Sequence, residues 1–327
     1  MDCFRIGNIG TVFGINIECL LAAIEANFLE MHVAIPDPNP ICKAETPHTI
    51  EYEDYDSTSG SYDNTRVPIG LPIILDYLAS TPNALSEQTV LDAGCGTGSY
   101  LSALRSRIGR LHGQELNAGM QQVAKNRFMD DPSVEIAQGS ITQLPFADET
   151  FDGIICNQVL HHLDRGNSHD ADSAAFPNIQ NFFHESFRVL RSHGVLIINT
   201  SSDHQYRDGF WWATLIPAAI ERMSARFPSI DGLEEMFQQT GFVGFETLVL
   251  FDEVLQGENY LDPAGPFSAA WRAGDSAWSL TTEQELSLAL DNVTSRLEDG
   301  SMNDFLEERE QQRAKIGQTT FLVARKP

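Results

Sequence analysis

The sequence has few basic residues, few cysteines and no long apolar run, and each shortage excludes a class of protein. It contains 21 lysines and arginines against 46 aspartates and glutamates, which gives a formal net charge of −25. This charge repels phosphate backbones, and no local basic patch offsets it, so we expect no nucleic-acid partner. The acidic run at 307–310 is interpreted as the solvated face of a helix.

The cysteines show no pattern of a disulfide framework or a metal site. Five are scattered through the chain without a C-x-x-C pair or a zinc-ligand spacing: Cys3, Cys19, Cys42, Cys95 and Cys156. We therefore expect reduced thiols and no bound metal. No stretch reaches the roughly 18 uninterrupted apolar residues of a membrane span. Since the N-terminus also lacks clear features of a secretory signal, a cytoplasmic protein without a membrane partner is expected.

The most informative stretch runs from Val90 to Tyr100. An apolar run typical of a buried strand ends at Asp92, three glycines follow at alternate positions, and a helical apolar pattern then begins. Glycine permits positive φ and a close approach of the backbone to a ligand. The pattern predicts a strand, a tight turn and a helix with a ligand at the turn; a glycine-rich turn without any ligand is the alternative.

The run Leu-Asp-Ala-Gly-Cys-Gly-Thr-Gly at 91–98 resembles the first motif of class I S-adenosylmethionine-dependent methyltransferases, in their small-molecule, type 11-like branch. Its G-x-G-x-G spacing lacks the wider gap of the dinucleotide fingerprint. The resemblance covers about 52–251 and 317–326. It implies an α/β fold with a Rossmann-like, doubly wound sheet of seven strands, one of them antiparallel, and S-adenosylmethionine as cofactor. The cofactor-binding residues that this motif implies are Asp92, Gly94, Gly96 and Gly98.

Further cofactor-binding residues are implied along the next strands. The pattern at 110–116 predicts a second strand, and Glu115 at its end is suited to accept hydrogen bonds from two ribose hydroxyls; a surface carboxylate is the alternative. A later block resembles the family's loop beside the adenine, although Ser140 stands where family members usually carry an acidic residue. The expected set is Glu115, Leu116, Met120, Gly139, Ser140, Ile141, Asn157 and, from an upstream Y-D-x-x-x-x-x-Y-D-x-x-R element, Tyr62.

Two adjacent histidines follow the fourth predicted strand, which ends at Asn157. Ligands bind outside the carboxyl ends of strands in open α/β sheets, so this loop is expected to face the substrate. Imidazole titrates near neutrality, which makes His161 and His162 candidates for a general base. The alternative is that they only orient the loop by hydrogen bonding. Because neighbours do not share a face, we expect no two-histidine metal site.

Two long segments, 203–229 and 252–316, contain all four tryptophans. One interpretation is the core of a helical cap, since tryptophan buries a large apolar surface. The other is an aromatic substrate pocket in which Arg272 faces a carboxylate or another anion. The candidate substrate-binding residues are Tyr55, Trp211, Trp212, Trp271, Arg272 and Trp278.

The order of these patterns predicts one α/β core interrupted by insertions that form a helical, aromatic cap. The expected segments are an N-terminal extension with a lid or dimer helix and a linker at 1–48, the cofactor-binding core at 49–202, a cap insertion at 203–229, a core helix and strand at 230–251, a second cap insertion at 252–316 and a closing strand at 317–327.

The resemblance implies a methyltransferase acting on a small molecule, with a carboxylate-bearing acceptor as one hypothesis. A nicotinamide-dependent oxidoreductase on the same kind of sheet is a second hypothesis, and a non-catalytic binding module is a third. A basic protein substrate and a homodimer stay open. The sequence does not identify the acceptor atom.

Overall fold

A computed structural model describes residues 67–164 and 176–327. The expectations for the extension at 1–48, for Tyr55 and for Tyr62 lie outside these residues. Within the described ranges, no helix is both long enough and apolar enough to cross a membrane.

Short apolar runs separated by turns and helices form the strands of one sheet. Its order is β3-β2-β1-β4-β5-β7-β6. Strand β7 runs antiparallel to both of its neighbours, while β1 to β5 pair in parallel. This confirms the expected seven-stranded sheet with one antiparallel strand. The strands are β1 (Thr89–Ala93), β2 (Arg110–Glu115), β3 (Val134–Gln138), β4 (Phe151–Asn157), β5 (Leu190–Thr200), β6 (Val243–Leu250) and β7 (Thr319–Arg325).

Helices alternate with the strands and also fill the two insertions. Those that connect or cover the strands are α1 (Leu71–Ala79), α2 (Ser99–Leu104), α3 (Ala118–Arg127), α4 (Pro177–Val189) and, after the first insertion, α7 (Ile230–Thr240). Those in the insertions are α5 (Asp203–Asp208), α6 (Pro217–Ser224), α8 (Ala269–Arg272), α9 (Ser276–Ser279), α10 (Glu283–Asp299) and α11 (Met302–Ile316).

The sheet is covered on both faces, which explains why its strands are apolar along their length rather than alternating. One face packs against Phe182 and Phe183 of α4 and Phe237 of α7. The other face packs against Ile74 and Leu78 of α1. Burying the sides of the sheet leaves the strand ends as the places where a ligand can reach the backbone.

The two insertions share one hydrophobic cluster, so they form a single cap. Its largest fully buried side chains are Phe210, Trp211, Trp212 and Tyr260, which come from both insertions. The indole nitrogen of Trp211 donates to the carbonyl of Tyr260 at 2.6 Å. The indole nitrogen of Trp212 donates to the side chain of Gln256 at 3.0 Å. These contacts confirm the helical and aromatic cap.

Candidate active site

A cleft lies where β1, β2 and β4 end. Because these strands are parallel, their carboxyl ends meet at one edge of the sheet. A first lobe of about 730 Å³, including the part open to solvent, lies over this edge. It is lined by Gly94, Gly96, Glu115, Leu116, Asn117, Met120, Gly139, Ser140, Ile141, Asn157, Gln158, Val159, His162 and Leu163.

A second lobe of about 550 Å³ adjoins the first across the glycine turn. Four residues line both lobes: Gly94, Gly96, Asn157 and Gln158. The second lobe alone is lined by Val67, Pro68, Asp92, Cys95, Thr97, Ser99, Tyr100 and Leu255. A ligand that fills both lobes must therefore pass between the glycine turn and the end of β4.

The glycine turn adopts the conformation that its sequence predicts. Gly94, Gly96 and Gly98 have φ values of 81°, 53° and 83°, which L side chains rarely adopt. The backbone N–H groups of Gly94 and Cys95 donate to the carbonyl of Gln114 at 2.8 and 3.1 Å. A Cβ on Gly94 would lie 2.5 Å from a methyl group of Val159, whereas one on Gly96 would meet nothing within 4 Å. The turn is thus packed tightly at Gly94 and open to the cleft at Gly96.

This difference predicts unequal effects of two matched substitutions. Gly94→Ala is expected to destabilise the fold by about 3 kcal/mol, because positive φ and a clash add together. Gly96→Ala is expected to cost about 1 kcal/mol, the price of the backbone conformation alone. Urea unfolding of both variants measures the difference, and equal losses would contradict the tight contact with Val159.

Glu115 lies at the end of β2 and links the turn to the next helix. Its Oε2 accepts a hydrogen bond from the backbone N–H of Gly96 at 2.9 Å, and its Oε1 accepts one from Asn117 at 2.8 Å. Burial raises the pKa of Glu115, and these backbone donors act in the opposite direction. A carboxylate offers about four lone-pair sites, so Glu115 keeps acceptor capacity for two hydroxyl groups in the first lobe.

Asp92 lines the second lobe and is 1% exposed. Burial, together with the nearby charge of Glu115, raises the pKa of Asp92 to about 8. Its Oδ2 and the Nδ2 of Asn157 are buried without a hydrogen-bond partner among the described residues. Unsatisfied buried polar atoms are costly, so these two atoms are available to the polar groups of a ligand at this end of the cleft.

Several apolar side chains line the first lobe. Leu116, Met120 and Ile141, three of the expected cofactor-binding residues, are among them. The side chain of Asn117 caps α3 by accepting a hydrogen bond from the backbone N–H of Met120 at 2.8 Å. This bond holds the start of α3, and with it Met120, beside the lobe. Ser140 also lines the lobe, but its hydroxyl oxygen accepts from the N–H of Thr142 at 3.2 Å and so stabilises its own turn.

The two histidines occupy different environments. His162 lines the first lobe. His161 is 7% exposed, does not line either lobe, and stacks on Phe227 of the cap with ring centroids 4.9 Å apart. The structure thus brings one of the two candidate bases to the cleft. In the described part of the chain, no group of three or more metal-ligating side chains could hold a metal ion.

The structure does not place the tryptophans in a substrate pocket. Trp211, Trp212, Trp271 and Trp278 are at most 5% exposed and pack together in the cap, away from both lobes. Arg272 donates from Nη1 to the carbonyl of Pro266 at 2.6 Å and also lies outside the lobes. The interpretation of these residues as the cap core therefore replaces the expected substrate pocket, because burial against one another leaves no face for a ligand.

The sequence did not single out Gln158, which lines both lobes. What marks Gln158 in the structure is its backbone φ of 56°. No sequence pattern predicts this conformation for a glutamine. Asn117 and Tyr100 also line the cleft. Asn117 directly follows the predicted site residue Leu116, and Tyr100 lies two positions after Gly98.

The cleft fits S-adenosylmethionine, a nucleoside joined to an amino acid through a sulfonium. The first lobe offers a carboxylate beside apolar side chains, and the second offers unsatisfied buried polar atoms. The sheet order and the glycine turn complete the arrangement of a class I S-adenosylmethionine-dependent methyltransferase. Residues 91–198 match the family model described as "Methyltransferase domain". The nicotinamide-dependent and non-catalytic alternatives are thereby set aside.

The chain is similar to known methyltransferases at low sequence identity. The chain is 26% identical over 183 residues to demethylmenaquinone methyltransferase of Symbiobacterium thermophilum, covering 47% of this chain and 68% of the relative. It is 24% identical over 220 residues to the Lactococcus lactis enzyme of the same name, and the match covers 59% of this chain and 82% of that relative. A solved structure from Anabaena variabilis is described as a methyltransferase from an antibiotic biosynthesis pathway. It matches with a TM-score of 0.63 and 23% identity, and the match covers 80% of this chain and 99% of that chain.

Proposed function

We propose that the enzyme transfers the methyl group of S-adenosylmethionine to a small-molecule acceptor, with the adenosine in the first lobe and the methionine end in the second. The division of the cleft carries this proposal. Glu115 lines the first lobe alone, and Asp92, with its buried and unsatisfied Oδ2, lines the second lobe alone. Asn157, whose Nδ2 is also buried and unsatisfied, lies where the two lobes meet. These are the groups that a diol at one end and an amino acid at the other require.

The residues of this chain hold and align the reactants. Glu115 accepts hydrogen bonds from the ribose hydroxyls, and Leu116, Met120 and Ile141 enclose the adenine. Asp92, once it has released its proton, would pair with the ammonium of the methionine end, and Asn157 would donate to its carboxylate. The bound cofactor supplies a methyl group on an excellent leaving group, so alignment and exclusion of water are the main tasks of the protein.

His162 is the proposed general base of the pair, because it lines the cleft and His161 does not. It holds the proton of a protic acceptor as the methyl group is transferred. An acceptor without an acidic proton does not need this step.

A small acceptor agrees with the relatives, which are named for methylation of demethylmenaquinone. The hypothesis of a carboxylate-bearing acceptor depended on Arg272, whose guanidinium is hydrogen-bonded within the cap. We therefore propose a small molecule without assigning a carboxylate to it.

Calorimetric titration of the full chain with S-adenosylhomocysteine tests the cofactor assignment. Wild-type protein is expected to bind it with micromolar affinity and not to bind NAD. Glu115→Ala is expected to weaken binding about tenfold or more, because two charge-assisted hydrogen bonds are lost. Gly96→Arg is expected to block the cleft. Folded wild-type protein that binds NAD, or neither ligand, would overturn the proposal.

A further inference from the structure

Gln158 stands at the junction of the two lobes. It follows the end of β4 directly and lines both lobes, together with Gly94, Gly96 and Asn157. Of these four residues, Gln158 has the longest side chain. Whatever connects the two halves of a bound ligand passes this side chain.

The backbone of Gln158 is held in an unfavourable conformation. Three non-glycine residues of the described ranges have positive φ, and Gln158, at 56°, is the one that lines the cleft. Its N–H donates to the carbonyl of Asn199 in β5 at 2.8 Å. Such strain persists only where the surrounding structure enforces it, and it concentrates at functional sites.

The side chain is oriented by the same neighbour. Nε2 of Gln158 donates to Oδ1 of Asn199 at 2.6 Å. Asn199 is 1% exposed, and its own Nδ2 donates to Thr319 at 3.5 Å, which leaves its oxygen for Gln158. With the amide nitrogen bound to Asn199 of β5, the carboxamide oxygen Oε1 is the polar atom of the side chain that remains for a ligand in the cleft that Gln158 lines.

We propose that Oε1 of Gln158 recognises the positive charge at the centre of the cofactor and so makes the enzyme prefer S-adenosylmethionine to S-adenosylhomocysteine. This rests on the proposed function, which places the adenosine in one lobe, the methionine end in the other and the sulfur at the junction. A fixed dipole with its negative end toward a partly desolvated sulfonium attracts it strongly. The uncharged thioether of the product receives no such attraction, which favours product release.

Titration of wild-type and variant protein with each of the two ligands tests this inference without an acceptor. Gln158→Leu keeps the bulk of the side chain and removes the dipole. We expect it to weaken binding of S-adenosylmethionine about tenfold, or about 1.4 kcal/mol, and to leave the dissociation constant of S-adenosylhomocysteine within about twofold.

Gln158→Gly is the matched control for backbone strain, because glycine adopts a φ of 56° freely. It is expected to show the same selective loss while unfolding at a higher urea concentration than Gln158→Leu. It also carries the test if the leucine variant fails to fold. Agreement between the two variants assigns the effect to the side chain rather than to the turn.

Equal weakening of both ligands, or no change in either, would overturn the inference while the proposed function stands. Failure of the wild-type protein to bind either ligand would overturn the proposed function and the inference with it. These outcomes are distinguished in one set of titrations, since the wild-type result is read first.

Discussion

Replacing Asp92 by asparagine is expected to raise the free energy of unfolding at pH 8 by several kcal/mol and to weaken cofactor binding about tenfold. The side chain is fully buried, and its pKa is raised to about 8, first by burial and then by Glu115. An unfolded aspartate has a pKa of about 3.9. At a pH between these two pKa values, Asp92 holds a proton in the folded protein that it has released in the unfolded chain.

The sign of the pH dependence follows from this difference. The stability contributed by the protonated Asp92 is complete below about pH 4 and is lost as the pH rises toward 8. Asparagine stays neutral at every pH, so Asp92→Asn removes this loss of stability at high pH. At pH 5 the free energy of unfolding of the variant should exceed that of wild type by only about 1–2 kcal/mol, because the pH is then only about one unit above the pKa of the unfolded carboxyl group.

Urea unfolding of both proteins at pH 5 and pH 8 measures the effect, and titration with S-adenosylmethionine measures the affinity. Asp152→Asn is the matched control, because Asp152 is also buried but is paired with Arg191 and hydrogen-bonded to Asn83 and Thr89. It should lose stability at both pH values. An Asp92→Asn variant less stable than wild type at pH 8 would show that the carboxylate is already satisfied in the free protein.

Replacing Trp212 by alanine is expected to destabilise the protein by about 3–5 kcal/mol, the range for large aromatic side chains in a core. The side chain is 0% exposed, packs on Phe210 and Trp278, and donates to Gln256. It lines neither lobe of the cleft. The dissociation constant of S-adenosylhomocysteine should therefore stay within about twofold at a temperature where the variant is folded.

Thermal unfolding and calorimetry give the two measurements. Arg272→Ala is the comparison, because it removes one hydrogen bond to a backbone carbonyl at the same cap and should cost only about 1 kcal/mol. A Trp212→Ala variant with near wild-type stability and lost ligand binding would restore the tryptophans as pocket residues.

The sequence predicted the sheet well because its signals are local. The run that ends at Asp92, the three glycines and the acidic residue at the end of β2 each fix the conformation of neighbouring residues. Strand β5 begins at Leu190, five residues before the apolar run that starts at Val195. Residues 191–193 look like a turn by composition, but Leu190 pairs with Phe151 of β4 and extends the strand.

The finer features of the site depend on contacts between distant residues. Trp212 and Gln256 are 44 positions apart, so residue type alone could not decide between a cap core and a pocket. Asn199, 41 positions after Gln158, orients the glutamine that the sequence did not single out. The separation of His161 from the cleft likewise depends on Phe227, which belongs to the first insertion.

The position of β7 links the completion of the sheet to that of the cap. It is synthesised after the other strands, yet it lies between β5 and β6. Strand β6 has no other partner strand among the described residues, and the second insertion separates Leu250 from its pairing partner Thr319. Closing that long loop costs chain entropy before any of its contacts form. We therefore expect the edge of the sheet and the cap to fold in one late, cooperative step, and to be lost together when the protein unfolds.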